Sequence, residues 1–394
     1  MKICIAALFG MHRTTGGIQA HLKWLMRYFE ENGIDYIYAS PYNYNRALVY
    51  PVFAVRCLLK KFSRHLSTYW FRKWHYYFLK KALARLFARR HFDVVNAQGP
   101  LAALAALEVR QRYGYHYQVV LTVHMNWPSQ AEEDAFAGNI KRNGRYYRRI
   151  KEMEGRVFLK VDKIVFVSNY IKEAMFNDFP DLLGKPHAVI YNGVAVDAGG
   201  KGAAGAGSKP YFASVGHLEL RKNQGFLLQV MKKIVVNFPD SELRLVGGGE
   251  DRAKLEKMAC AFGLNKNVVF TGFLRNVYPC LAGAYLYLHA SLGESCPFAI
   301  IEAMSLGIPV ISFSTGGIPE IVEHGFNGLL VKDKNIDTYA GYIERLILHK
   351  AERDIMSGNC LKLCRDRFNY KIMGRGFIEF YRRGGLLGAG YKAS

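Results

Sequence analysis

Glu294-Ser295-Cys296-Pro297-Phe298-Ala299-Ile300-Ile301-Glu302 runs on into Ala303-Met304-Ser305-Leu306-Gly307-Ile308-Pro309-Val310. The first stretch reads as a loop acid followed by a short apolar helix that carries a second acid. The second stretch ends that helix and enters a buried strand. A glycine turn comes soon after, at Ser314-Thr315-Gly316-Gly317-Ile318-Pro319-Glu320. The chemistry suits a sugar nucleotide. A loop acid can meet sugar hydroxyls, free amides at a helix start can meet phosphate, and the helical acid can meet ribose hydroxyls. From Pro297 to Glu302 the helix rises roughly 7 Å at about 1.5 Å per residue, a fit to the gap between a phosphate and a ribose.

Outward from this stretch the same alternation recurs. Lys2 to Leu8 reads as a buried strand. Gly16-Gly17 opens a helix with Ile18, Leu22, Leu25 and Phe29 on one face, and Gly33 ends it. Tyr36 to Ala39, Asp93 to Ala97, Gln118 to Val123 and Lys163 to Val167 are short apolar runs between helical patterns. After a glycine- and alanine-rich stretch the pattern restarts with strands at Tyr211 to Val215, Glu242 to Val246, Val268 to Thr271, Leu286 to His289 and Val310 to Phe313. A helix spans about Asn223 to Val236. This predicts an α/β chain with parallel sheets and crossover helices. The expected organisation is an N-terminal domain over 1–197, a flexible linker over 198–210, a C-terminal domain over 211–370, and a terminal helix within 371–394 packing back on the N-terminal domain.

At 394 residues the chain is long enough for two domains. A net charge of +22 favours an anionic partner: a phosphate-bearing substrate, an acidic membrane surface or nucleic acid. No nucleic-acid recognition motif accompanies the charge, so nucleic acid is not expected as a partner. The 7 cysteines are scattered, with no C-x-x-C, which reads as a reduced, cytoplasmic chain without a metal-ligand pattern. The apolar start, Ile3 to Leu8, runs straight into a glycine turn and is read as a strand rather than a signal peptide. No run of 18 or more apolar residues is present.

Several motifs, in one order, carry a resemblance. They are Thr15-Gly16-Gly17, Thr122-Val123-His124, Val167-Ser168, Asn192-Gly193-Val194 and Val215-Gly216 with Lys222. Val246-Gly247-Gly248-Gly249, Thr271-Gly272-Phe273, the pair Glu294 and Glu302, and Gly316-Gly317 with Glu320 complete the set. Each alone is weak; in sequence they are specific. The chain resembles the retaining glycosyltransferases of the GT-B fold in glycosyltransferase family 4. The resemblance covers nearly the whole chain and is strongest from Tyr211 to Val322. It implies two Rossmann-like domains facing a central cleft. It also implies transfer of a sugar from a nucleotide-diphosphate donor to an acceptor hydroxyl, with retention and without a metal or other cofactor.

Residue by residue, the resemblance places Lys222 on the donor diphosphate, a role suited to a compact ammonium. His217 stands where the family usually has arginine, so the expected clamp needs a protonated His217 or help from neighbouring Arg221. Gly16 and Gly17 match the glycines that approach the donor phosphates. Glu294 matches the acid near the donor sugar, Phe298 and Ala299 offer amides to the diphosphate, and Glu302 matches the ribose-binding acid. Pro297 has no N–H but fits a first helical turn. Backbone groups around Gly272 and Phe273 are expected to meet the base. His124 matches a histidine at the donor–acceptor junction, with Asn126 and Gln98 as further acceptor candidates. Glu294, His124 and Lys222 are the expected catalytic residues. Nothing places Glu302 as a double-displacement nucleophile, so the resemblance favours front-face substitution, in which the leaving phosphate helps deprotonate the acceptor.

Between Tyr36 and Phe92 there is no Asp or Glu. Basic residues recur through this insert (46–92), including Lys60, Lys61, Arg64, Lys80 and Lys81, interleaved with aromatics such as Trp70 and Trp74. Val55, Leu59, Phe62 and Leu66 follow helical spacing. A basic amphipathic helix with aromatics fits an anionic bilayer surface. The expectation is a peripheral enzyme on the inner face of the cytoplasmic membrane, acting on a lipid-linked or surface-glycan acceptor. The bland alternative is helix packing inside the domain with solvated charges. Two rival functions are a nucleotide-sugar epimerase of the same fold, which leaves the insert without a purpose, and an inactive membrane- or polyanion-binding relative.

Overall fold

The computed structural model describes residues 1–11, 16–196 and 210–383. The expected linker, 198–210, lies outside the described residues except for Pro210, as do Thr15 and the chain beyond 383. The chain divides into two compact units. Unit 1 is Met1–Tyr191 with the segment from Met373 onward, and unit 2 is Asn192–Ile372. The boundary falls before the 197 expected because Asn192 and Val194 bond into unit 2. Asn192 Nδ2 donates to the Cys296 carbonyl at 2.8 Å, and Val194 N donates to the Phe368 carbonyl at 2.9 Å.

Unit 1 begins β1 (Ile3–Ala6), α1 (Gly17–Glu31) and β2 (Tyr36–Ala39), followed by the helical hairpin α2 (Arg46–Phe62) and α3 (Arg64–Phe87). β3 (Val94–Gln98), α4 (Pro100–Tyr113), β4 (Gln118–Val123), α5 (Gln130–Phe136) and α6 (Arg145–Lys160) continue it. β5 (Lys163–Phe166), α7 (Asn169–Asp178) and β6 (His187–Val189) close the first pass. The six strands are parallel in the order β2-β1-β3-β4-β5-β6. β1 and β3 are buried along their whole length, as strands with helices on both faces require. β3 starts one residue later than expected because the Asp93 carboxylate turns back to accept from the Lys2 amide at 2.6 Å.

Unit 2 repeats the scheme. β7 (Tyr211–Val215), α8 (Gln224–Asn237), β8 (Glu242–Val246), α9 (Arg252–Ala261) and β9 (Val268–Gly272) come first. α10 (Tyr278–Leu281), β10 (Leu286–His289), α11 (Phe298–Ser305), β11 (Val310–Phe313) and β12 (Gly328–Val331) follow. The last helices are α12 (Ile336–Leu348), α13 (Lys350–Asp366) and α14 (Tyr370–Arg382). Its parallel sheet has the order β12-β11-β10-β7-β8-β9. Phe212, Leu243, Leu288 and Ile311 from the strands pack with Leu227 and Tyr339 from α8 and α12. Phe226 and Phe313 meet edge to face with ring centroids 4.7 Å apart.

α14 crosses from one unit to the other along its own length. In unit 1 its last turn is capped by Lys163, whose ammonium donates to the carbonyls of Phe380 (2.9 Å) and Tyr381 (3.1 Å). Phe377 of the same helix lies edge-on to His21 at 5.4 Å.

The single amphipathic run read through Val55, Leu59, Phe62 and Leu66 is broken in two. Ser63 takes an extended conformation, ends α2, and caps α3 by accepting from Leu66 N at 3.3 Å. Phe62 and Leu66 consequently stay exposed.

Under α5, the fully buried Glu154 accepts from Ser129 Oγ at 2.5 Å and from Gln130 N at 3.2 Å. Burial raises its pKa to about 7, against the pull of Arg72 and these two donors and with a further push from Glu133. A carboxyl raised from 4.5 to about 7 binds more protons folded than unfolded across that window. Stability therefore falls as pH rises from roughly 5 to 8, by on the order of 3 kcal/mol. Glu154→Gln is expected to flatten that slope in thermal melts of the intact chain. An unchanged slope would show that Glu154 is ionised throughout.

Candidate active site

In unit 2 the strand order reverses between β7 and β10, the place where an open parallel sheet leaves a crevice at its carboxyl edge. The segment after β7 carries His217, Arg221 and Lys222; the segment after β10 carries Glu294. A single 3₁₀ turn at Leu220–Lys222 is closed by Asn223 in the left-handed region, which starts α8. The two segments are tied together, since Leu292 N donates to the Arg221 carbonyl at 2.8 Å and Ser291 Oγ to the same oxygen at 3.1 Å. The turn after β11 holds the acid from its other side, with Gly317 N donating to the Glu294 carbonyl at 2.7 Å. Gly247, at φ +143°, lies against the Gly216 carbonyl, where an added Cβ would stand 2.0 Å from the oxygen, so the V-G-G-G turn packs directly on the start of the lysine segment.

These backbone ties bring one buried carboxylate to three nitrogen groups. Glu294 is 5% exposed. Lys222 Nζ bonds its Oε1, Arg221 Nη1 reaches the same oxygen at 3.1 Å, and His289 Nε2 lies 3.5 Å away. Burial alone would raise the Glu294 pKa; Lys222 first and Arg221 next outweigh it and hold the carboxyl well below its ordinary value. Burial lowers the Lys222 pKa, with Glu294 pulling it back up. His289 is lowered by burial against its contact with Glu294. The cluster is thus an anion gripped by two cations, with a neighbouring imidazole shifted toward its neutral form.

His217, Gly272, Phe273, Phe298, Ala299 and Glu302, the other donor candidates of unit 2, lie at or after the ends of its strands and on α11. Phe298 is buried and Ala299 half-buried at the amino end of α11, where Pro297 provides no side-chain cap for the first amides. Glu302 is half-buried on the same helix. It and Glu294 both add to the burial that pushes the Tyr287 phenol far above its ordinary range, against the bond that phenol makes with the Val215 backbone. Gly272 ends β9 at φ +73°, and Phe273 beside it is 49% exposed. His217 is exposed, and its carbonyl accepts from Gln224 Nε2 at 2.7 Å. It is Arg221, not His217, that stands beside Lys222 at the carboxylate.

In unit 1 the strand order reverses between β1 and β3, and the candidates follow β1, β3 and β4. Gly16 and Gly17 are exposed at the amino end of α1. Gln98 is buried and its Oε1 meets His124 Nε2 at 2.8 Å. Gln98 Nε2 donates to Asn96 Oδ1 at 3.0 Å, and Thr122 Oγ1 donates to that same oxygen at 2.7 Å. Two donors on Asn96 Oδ1 orient the Gln98 amide, which makes His124 Nε2 the protonated nitrogen and leaves Nδ1 as the acceptor. Burial, and then His21, hold His124 well below its ordinary pKa, so the ring is neutral. His21 lies edge-on to it at 4.6 Å. Asn126 is engaged in its own loop, with its backbone N and Nδ2 both donating to Glu133 Oε1 (2.7 and 3.2 Å).

Two family patterns match this chain nearly end to end. The one described as Glycosyltransferase Family 4 covers residues 15–198, and the one described as Glycosyl transferases group 1 covers residues 202–362. Together the two patterns mark a chain of the group 1 and family 4 glycosyltransferase type. An uncharacterized glycosyltransferase of Haemophilus influenzae is 33% identical over 34% of this chain and 38% of its own length. The UDP-Gal:alpha-D-GlcNAc-diphosphoundecaprenol alpha-1,3-galactosyltransferase of Escherichia coli is 30% identical over 40% of this chain and 41% of its own length. The matched stretch is thus less than half the length of either relative. In structure, the sucrose-phosphate synthase of Thermosynechococcus elongatus superposes with a TM-score of 0.76 at 17% identity, covering 97% of this chain and 98% of that one. At that identity the likeness establishes the fold, two Rossmann-like domains of the GT-B type.

Sequence reasoning did not single out His289, His21 or Asn96, and it took Thr122 only as part of the motif that ends in His124. His21 was within reach, since it falls three residues after Ile18 on the buried stripe of α1. His289 closes an otherwise apolar strand, and its closeness to Glu294 follows from how the chain turns after β10.

The basic insert of unit 1 divides. Trp70 Nε1 donates to the Val52 carbonyl at 2.7 Å, and Trp74 stacks near Phe78 at 5.8 Å, so both indoles serve the α2–α3 hairpin itself. Lys80 pairs with Glu108 at 2.8 Å, and Lys81 lies over the Tyr77 ring at 5.7 Å. Lys60, Lys61 and Arg64 are exposed beside Ser63, where the hairpin turns. No helix among the described residues is long and apolar enough to cross a membrane.

Proposed function

We propose that this transferase moves a sugar from a nucleoside-diphosphate sugar to a hydroxyl of a lipid-linked or surface-glycan acceptor, with retention of configuration. The observation that carries the reading is the buried Glu294 carboxylate gripped by Lys222 and Arg221 at the strand-order reversal of unit 2. In the absence of donor, the two cations are balanced by Glu294 together with Glu219, which pairs with Arg221 at 2.8 Å. A diphosphate arriving at the amino end of α11 competes for Lys222 and Arg221, which then supply the counter-charge that a metal ion would otherwise bring. Phe298 and Ala299 offer amides to the same phosphates, and Glu302 takes the ribose hydroxyls. Glu294, released from part of its ion pairing, accepts from the sugar hydroxyls and stabilises positive charge growing at the anomeric carbon.

In the reaction, the bond from the anomeric carbon to the β-phosphate oxygen breaks. The acceptor oxygen bonds to that carbon from the same face, and its proton passes to the departing phosphate. Unit 1 takes the acceptor side. The neutral His124, with Nδ1 as an acceptor, is suited to hold a hydroxyl without competing for the proton. The Escherichia coli relative, whose name specifies a diphosphoundecaprenol-linked acceptor, supports an acceptor of that class, as does the basic insert of unit 1. The proposed workplace is the inner face of the cytoplasmic membrane.

A panel of UDP-, GDP- and ADP-sugars tests the reading by thermal stabilisation. A true donor at 100 times its Kd adds about 2.7 kcal/mol to the stability of the state it binds. One nucleotide class is expected to raise the melting temperature, and the Lys222→Met chain is expected to lose that response. No response to any donor, or an equal response in Lys222→Met, overturns the assignment of this cluster. Trapping of a covalent glycosyl-enzyme overturns front-face substitution while leaving the donor site standing.

A further inference from the structure

We infer that the α2–α3 hairpin of unit 1 inserts its Ser63 turn into an anionic lipid leaflet, on the same edge of the sheet as His124 and Gln98. This rests on the glycosyl-transfer reading only for its purpose; the geometry stands alone.

The position of the hairpin follows from connectivity. α3 ends at Phe87 and β3 begins at Val94, so the end of α3 lies at the amino edge of the sheet. The start of α2 comes from the other edge, after β2. There Tyr44 packs on Phe78 (ring centroids 6.1 Å), and its carbonyl accepts from Arg85 Nη1 at 3.3 Å. The stretch of α3 from Phe78 back to Arg64 therefore runs toward the carboxyl edge, over roughly 20 Å of helix at about 1.5 Å per residue. Its flank confirms the placement. Arg72 pairs with Asp134 at 2.7 Å, His65 and Tyr146 meet at 5.2 Å, and Arg64 Nη1 donates to the Ala137 carbonyl at 3.4 Å. All three partners belong to the segment that follows His124.

The turn carries what a leaflet needs. Phe62 is 86% exposed, Leu58 58% and Leu66 50%. Lys60, Lys61 and Arg64 surround them, and no carboxylate occurs anywhere from Tyr36 to Phe92. Exposed apolar side chains at the end of a hairpin, collared by cations, match an acyl region below a layer of anionic headgroups. The indoles of Trp70 and Trp74, the obvious interfacial anchors from sequence, are spent inside the hairpin; Phe62, Leu58 and Leu66 take that part.

The full chain is mixed with phosphatidylglycerol vesicles and, for comparison, with phosphatidylcholine vesicles, and flotation is measured. Binding to phosphatidylglycerol is expected, weakened at least about tenfold by Phe62→Asp and separately by high salt. The emission of a Phe62→Trp chain is expected to shift to the blue with vesicles and to be quenched by lipids brominated in the acyl chain. Phe62→Asp is expected to leave donor-sugar stabilisation unchanged, since that readout belongs to unit 2. If vesicles bind the chain while no donor does, the transfer reading fails and the anchor stands. Undiminished flotation of Phe62→Asp overturns the insertion. So does emission at position 62 that stays water-like in the Phe62→Trp chain, or light scattering that shows self-association through this turn in place of vesicle binding.

Discussion

Lys222→Met is expected to cut donor turnover about 100- to 1,000-fold, the usual consequence of removing one preorganised charge from the path of a departing anion. The argument is electrostatic. Lys222 bonds Glu294 in a buried site, and Arg221 stands 3.1 Å from the same oxygen. In the proposed donor complex Lys222 is the compact charge nearest the leaving group, and methionine keeps its length and apolar stem without the charge. The loss falls on kcat more than on KM if the charge acts chiefly as the phosphate departs.

The same substitution has a second, independent signature. In the parent chain Glu294 is held well below its ordinary pKa, although burial pushes it up. Such a depressed carboxyl contributes stability that is present above the unfolded value of 4.5 and is lost as pH falls through the folded value. Removing Lys222 removes the largest opposing influence, so the folded value rises and acid unfolding begins at a higher pH. Glu294→Gln instead leaves the buried Lys222 without its carboxylate while Arg221 keeps Glu219 at 2.8 Å, and is expected to destabilise unit 2 by about 3 kcal/mol. Because the two residues act as one unit, the Lys222→Met/Glu294→Gln double variant is expected to lose at most about tenfold more activity than the worse single variant. Kinetics within about tenfold of the parent for Lys222→Met would remove it from the reaction.

Much of this cluster was legible because each half sits at the end of a strand with a plain apolar pattern. β2, β4, β7, β8, β10 and β11 begin and end at the residues read from sequence. These strands are bounded by glycine, proline or polar turns, so local chemistry states their limits. β6 and β12 were missed. Both are edge strands of three and four residues, and His187–Val189 is only half-buried, which leaves too little pattern to read. The break at Ser63 was also present as a signal, an N-cap residue inside a helical run. It was overridden by the spacing of Val55, Leu59, Phe62 and Leu66, which described apolar side chains correctly but not their burial.

Pairings across the sheet were less accessible. That Arg221 rather than His217 joins Lys222 depends on Leu292 and Ser291 holding the Arg221 carbonyl, contacts between segments about 70 residues apart. The orientation of Gln98 depends on Asn96 and Thr122, one on its own strand and one on the next. Sequence names the participants in such a network; strand order decides who touches whom.

Gly316→Ala tests whether the second glycine turn is part of the site. Gly316 sits at φ +59°, and a Cβ there would lie 2.1 Å from the Glu294 carbonyl oxygen and 3.1 Å from its carbonyl carbon and amide nitrogen. The obstacle is backbone, so no side-chain rotation relieves it. Left-handed strain and the clash together are expected to cost about 3 kcal/mol, or roughly 10 °C in the melting temperature of a unit this size. The effect on activity is expected to exceed that on stability. The chain can relax by moving the Glu294 segment away, which withdraws the carboxylate from Lys222 even in molecules that remain folded. Gly358→Ala is the matched control. Gly358 lies inside α13 with open space around its Cβ position, so alanine there is expected to raise stability by about 0.5–1 kcal/mol and leave turnover alone. Melting curves and kinetics measured well below the melting temperature read both effects. A Gly316→Ala chain as stable and as active as its parent would mean that Glu294 holds its place without the turn after β11.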